Sequence, residues 1–155
     1  MIDNAYIFCF KRLCIYNLKS IVIILFLTNN LVSQITRNPV TISTFVDSPV
    51  RAGEVVHLKI NAEMDKEWHI YSIYEITEGP LPTEISVSGQ PIGSVAPVIE
   101  PKPEHLYDPG FETDTYYHSG DTQFILPIRI KRTLNPGKYS IFLEVFYMVC
   151  NERLC

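Results

Sequence analysis

The stretch EVVHLKINAEM (54–64) alternates with a period of two. Val56, Leu58, Ile60 and Ala62 share one side, and Val55, His57, Lys59 and Asn61 share the other. Only an extended strand puts every second residue on one face, so this pattern demands a sheet with one buried side. TQFILPIRIKR (122–132) repeats it, with Phe124, Leu126, Ile128 and Ile130 inward and Arg129 and Lys131 outward. KYSIFLEVFYMV (138–149) sets Ile141, Leu143 and Val145 together. Weaker extended candidates are VTISTFV (40–46), HIYSIY (69–74), TEISVS (83–88), SVAPVI (94–99) and ETDTYYH (112–118). Turn residues separate them in RAGE (51–54), EGPLP (78–82), YDPG (107–110), HSGD (118–121) and NPGK (135–138), where Gly or Pro supplies the turn geometry. No stretch of helical length carries a 3.6-residue period. Roughly seven or eight short strands with regular turns predict an all-β, immunoglobulin-like antiparallel β-sandwich. The strand over 139–149 is expected to be central. The sandwich is therefore expected to lack its last strand, which lies beyond Cys155 or comes from another chain.

Composition bounds the rest. Hydrophobic residues make up 46% and charged residues 19% of the 155, as in a chain that buries a core. No Lys/Arg run exceeds two and the formal charge is −4, which argues against a nucleic-acid partner. Lys11, Arg12 and Lys19 precede the apolar SIVIILFL (20–27), followed by TNNLVSQ. A basic region, a short apolar run and a small residue at the exit describe a secretory signal peptide over 1–34, cleaved near Ser33 or Gln34. The rival reading is a membrane anchor, but the apolar run is far short of the roughly 20 residues a spanning helix needs. No cysteine follows that run to accept a lipid. Removal of 1–34 takes Lys11, Arg12, Lys19 and Asp3 with it, leaving 10 basic and 16 acidic residues, a formal charge of −6. Residues 35–155 then read as one domain whose only cysteines are Cys150 and Cys155. An exported pair of this kind tends to be oxidised.

Two chemistries remain open for that pair. As a structural staple it closes a loop so short that the chain-entropy relation gives only about 2 kcal/mol, against nearly 5 for a loop of about 100 residues. As a redox pair it sits at the accessible end of a strand. Cys-x4-Cys is not the Cys-x-x-Cys of thioredoxin-like proteins, and spacing alone leaves the two readings equal. Arg153 lies between the cysteines, where a cation stabilises thiolate; Glu152 opposes it. A soft metal site from Cys150, Cys155, Met148 and a histidine is disfavoured, because His57, His69, His105 and His118 are scattered without ligand spacing. Trp68, the only tryptophan, is expected in the core. LYDPGFETD (106–114) is expected to form a type II turn with Pro109 and Gly110 at its centre. That leaves Phe111 near a loop tip, or folded back into the core.

EWHIYS, GPLPTEI, EPKPEHLYDPGFETDTYYHSGDTQFILPIRI and GKYSIFLEVFYMVCNERLC, in this order, resemble the amino-terminal periplasmic domain of the thiol:disulfide interchange protein DsbD. The resemblance runs from about residue 40 to the end. Its most specific part is the closing Tyr-x-x-Cys…Cys after a strand, with a loop-borne Phe upstream. It implies an immunoglobulin-like, periplasmic protein-disulfide reductase that relays electrons from a membrane-embedded domain to oxidised periplasmic proteins, including cytochrome-maturation factors. It needs no cofactor and no metal. By position, Cys155 corresponds to the cysteine that joins a partner in a mixed disulfide, and Cys150 to the one that resolves it. Tyr107, Asp108 and Phe111 correspond to a cap loop over the pair. His69 and Tyr71 fall where the family has aromatic residues lining the site, and His69 departs from a phenol there. Many members have one more residue between the cysteines, and continue with Pro-Pro and a closing strand. The membrane electron-transfer domain and a thioredoxin-like domain are missing from this chain, so it is expected to be a chain cut at its active site. The rival readings are a non-catalytic exported immunoglobulin-like binding module whose disulfide is a staple, and a fragment that does not fold stably and has no function alone.

Overall fold

The computed structural model describes residues 38–155 apart from residue 48; the expected signal peptide lies outside the described residues. The two most strongly alternating stretches form its longest strands, β2 (Val55–Met64) and β8 (Asp121–Ile130), ten residues each. They pair antiparallel in the register Val56↔Ile128, Leu58↔Leu126 and Ile60↔Phe124. Because directly opposed residues share a face, this register gathers both apolar sets on one side. Ile60 is fully buried, and Leu58, Phe124, Leu126 and Ile128 are almost so. Each such side chain contributes about 1.5–3 kcal/mol by leaving water. The opposite face is polar, and Gln123 donates to Asn61 across the ladder at 2.8 Å. β1 (Val40–Phe45) and β5 (Ile92–Val95) flank the pair, giving the order β1-β2-β8-β5.

The facing layer has two parts. β3 (His69–Tyr71), β6 (Glu104–Asp108), β7 (Thr113–Ser119) and β10 (Val149–Cys150) form a sheet in the order β10-β3-β7-β6. β4 (Glu84–Ser88) and β9 (Phe142–Phe146) form a two-stranded ladder. From these, Ile70, Val149, Ile85, Val87, Leu143 and Val145 pack against the core of the first sheet. The fold is the expected all-β, immunoglobulin-like antiparallel sandwich.

Four local expectations are corrected. The stretch 139–149 is not one central strand: β9 pairs with β4, the chain breaks at Tyr147 and Met148, and β10 then joins β3. Alternation places Leu143 and Val145 inward, but among the described residues β9 has a partner on one side only and leaves Phe142 70% exposed. Second, β6 occupies a stretch read as turn and loop. Its residues are exposed on both sides, so it carries no apolar alternation. Third, Pro109–Gly110 is not a type II turn. The positive φ falls at Glu112 (55°) rather than at Gly110, and the Asp108 carboxylate accepts from the Gly110 amide at 2.8 Å. Fourth, Trp68 is only half-buried and stands outside the core cluster, in the turn closed by its own amide on the Asp65 carbonyl.

β3 is shorter than the 69–74 expected because a side chain replaces the ladder beyond Ser72, whose amide still donates to the Tyr116 carbonyl at 2.9 Å. Glu100, buried, accepts from the Ser72 hydroxyl at 2.6 Å and from the Ile73 amide at 3.2 Å. The same carboxylate lies 2.9 Å from Nε2 of buried His118 on β7. This polar cluster clamps the end of β3 against β7, and no buried side-chain nitrogen or oxygen among the described residues is left without a partner.

Candidate functional site

The sheet β10-β3-β7-β6 uses its two faces differently. Ile70 and His118 are opposed across β3 and β7 and point into the sandwich; Tyr71 is opposed to Tyr117, and His69 to both Ser119 and Cys150, on the other side. A period of two thus turns His69, Tyr71, Tyr117 and Cys150 outward from the core. Cys150 is nevertheless only 1% exposed, because the chain beyond it folds back. Asn151 makes that fold. Its side-chain oxygen accepts from the amides of Arg153 and Leu154 at 2.8 and 2.9 Å, and its own amide donates to the Leu154 carbonyl at 2.8 Å. The turn returns Cys155 to Cys150, and the two are joined in a disulfide with Cα atoms 4.2 Å apart. Cys155 is exposed.

The β6–β7 turn lines the same cavity as this pair. The Tyr71 hydroxyl donates to the Asp108 carboxylate at 2.8 Å, and the Phe111 ring meets Tyr71 edge-on with centroids 5.9 Å apart. Phe111 therefore neither protrudes freely nor enters the core; it lies on the outer face against Tyr71. The His69 ring contacts Tyr71 edge-on at 5.2 Å and Tyr117 at 4.9 Å. Together these groups line a cavity of about 610 Å³. Cys150, Cys155, Tyr107, Asp108, Phe111, His69, Tyr71 and Arg153, each singled out from sequence, all line it.

Burial sets the electrostatics. It pushes the Tyr71 hydroxyl well above its ordinary range, and the hydrogen bond to Asp108 and that residue's charge push further. Burial also raises Tyr117, with Glu104 adding to it. His69 is held below the ordinary histidine value because its desolvation outweighs the opposing pull of Asp108 and Glu104. Glu104 in turn accepts from the hydroxyls of Tyr117 and Ser119.

Three members of the site escaped sequence reasoning. Asn151 was legible as an Asx turn directly after a strand. Tyr117 was legible from the alternation of TYYHS, which separates it from His118. Glu104 had no signal, because the strand that carries it had none. Among the described residues, no three His, Cys, Asp or Glu side chains are grouped to hold a metal ion, and no helix is long and apolar enough to cross a membrane.

The class defined by this fold and site is an antiparallel β-sandwich that carries a disulfide between one exposed and one buried cysteine. Residues 41–155 match the family model described as thiol:disulfide interchange protein DsbD, N-terminal, and the chain belongs to that family. It is thus a thiol–disulfide interchange domain of a periplasmic type. No curated protein and no solved structure gives a significant match to the chain.

Proposed function

We propose that this domain is a protein-disulfide reductase that passes electrons to oxidised partner proteins through Cys150 and Cys155. The observation that carries the reading is the asymmetry of the pair: Cys155 is exposed, Cys150 is buried, and both line the cavity. In the reduced state the Cys155 thiolate attacks a sulfur of the partner's disulfide. A mixed disulfide forms and the partner's other sulfur leaves as thiolate. Cys150 then attacks Cys155, the bond to the partner breaks, and the partner departs with two thiols. Arg153, on the cavity wall, favours the thiolate of Cys155 by its charge. The turn bearing Tyr107, Asp108 and Phe111 acts as a cap. Latched to Tyr71, it keeps small oxidants from the reduced pair until a docking partner displaces it.

Export to the periplasm, with residues 1–34 as the signal, gives the pair the compartment in which its partners carry disulfides. The reductant in this reading is a membrane electron-transfer domain, and the partners are periplasmic thiol–disulfide proteins, cytochrome-maturation factors among them. The test is trapping. Reduced chain carrying Cys150→Ala is expected to accumulate a mixed disulfide through Cys155 with a disulfide-bearing protein, seen by intact mass. The wild-type pair is expected to equilibrate with a glutathione redox buffer. A pair that stays oxidised at every potential and a variant that traps nothing would sink the reading and leave a staple.

A further inference from the structure

The mixed disulfide is resolved by Cys150, and the attacking species must be its thiolate. In the disulfide Cys150 is 1% exposed and opens only onto the cavity, so the groups that line this cavity beside it are the protein's nearest proton acceptors. His69 stands in that position. β10 and β3 pair so that Cys150 and His69 are directly opposed, which puts both side chains on one face with Cβ atoms about 4.5–5.5 Å apart. Both line the same cavity. This register is held by the backbone ladder, so opening the disulfide does not remove it. The imidazole is only half-buried and can hand a proton on to water at the cavity mouth.

We propose that His69 is a catalytic residue of the resolving step, the proton acceptor for the Cys150 thiol; this rests on the exchange reading above. In the mixed disulfide, a ring nitrogen of neutral His69 takes the thiol proton. The Cys150 sulfur attacks Cys155, the Cys150–Cys155 bond forms, and the bond from Cys155 to the partner breaks. The electron pair of that bond leaves on the partner's sulfur, and the imidazolium returns its proton to that thiolate or to water. The dithiol has lost two electrons, the partner's disulfide has gained them, and no other reactant enters.

The surroundings of His69 suit a base at neutral pH. Burial holds it below the ordinary histidine value, so it is neutral and able to accept. Glu104 and Asp108, from β6, face it and pull the other way, which stabilises the imidazolium once formed. Tyr71 and Tyr117, the rings it touches, are pushed upward and stay neutral. Glu67 before β3, and Glu152 and Arg153 beyond β10, complete the charged lining of the cavity. Cross-strand aromatic packing alone would not need a titrating ring here.

A chromogenic aryl disulfide separates the steps, because reduced chain releases one arylthiolate on attack by Cys155 and a second on resolution by Cys150. An arylthiolate needs no proton to leave, so the second phase reports proton loss from Cys150. For His69→Gln, the ratio of second-phase to first-phase rate is expected to fall at least about tenfold at neutral pH. The wild-type second phase is expected to slow as pH falls through the His69 titration, and the variant to lack that inflection. His69→Phe, which keeps a ring against Tyr71 and Tyr117, is expected to behave like His69→Gln. Added imidazole is expected to restore the second phase in His69→Ala. An unchanged ratio and pH profile in His69→Gln overturns the inference, and so does a loss that imidazole does not repair, since packing then explains it. If Cys150→Ala gives no first phase, the exchange reading falls and takes this one with it.

Discussion

Tyr71 ties the β6–β7 turn to the wall of the cavity that the disulfide also lines. Only 2% exposed, it holds Asp108 through its hydroxyl and Phe111 through its ring, and it sits two residues from His69 on the same face. Removing the hydroxyl in Tyr71→Phe deletes one hydrogen bond of about 1–1.5 kcal/mol, which is up to roughly tenfold in the open-to-closed ratio of the cap. Air oxidation of the reduced pair is expected to speed up by a comparable factor, with Phe111→Ala at least as fast. An unchanged thiol lifetime in both variants would remove the cap from the mechanism. His69 also leaves a mark on stability. Its folded-state value lies below 6.5, so the unfolded chain binds the extra proton first on acidification. The contribution of His69 is therefore complete above pH 6.5 and is lost as pH falls through the lower folded value. Denaturant midpoints across that window are expected to fall less in His69→Gln than in the wild type.

At the scale of elements, the site depends on the outer face of a four-stranded sheet being held firmly by its inner one. The Glu100 carboxylate receives Ser72, Ile73 and His118, and so fixes the strand that carries His69 and Tyr71 against the strand that carries Tyr117. Glu100→Ala leaves the Ser72 hydroxyl, the Ile73 amide and buried His118 without this acceptor and is expected to cost about 1–3 kcal/mol for each group left unpaired, read by chemical denaturation. A loss below 1 kcal/mol would mean that the loop collapses around the vacancy and that the clamp is dispensable. Alternation announced β2 and β8 because both faces of those strands have opposite environments. β6 and the split of β9 from β10 gave no such signal. A strand exposed on both sides has no pattern to read, and a chain that changes sheets does so at Tyr147 and Met148 without Gly or Pro.

For the whole molecule, the core and the disulfide are separate sources of stability. The core cluster is built from β1, β2, β3 and β8, and the cross-link closes only the loop after β10. Replacing both cysteines by alanine is expected to lower unfolding free energy by only about 2 kcal/mol and to keep a single cooperative transition. A chain that fails to fold without the bond would assign the pair a structural role as its main one.

Sequence alone determined the fold class, the core residues of β2 and β8 and the family, because period-two alternation and ordered motifs are properties of the chain itself. It also named the cysteines, Tyr107, Asp108, Phe111, His69, Tyr71 and Arg153, and joined them into one site only through the family resemblance. That all of them line one cavity, that Cys150 is buried while Cys155 is exposed, and that His69 stands opposite Cys150 were decided by tertiary structure. The physical reason is register. Which residue faces which across a ladder depends on how two distant stretches align, and a shift of one position would have turned His69 towards the core and Ile70 towards the disulfide.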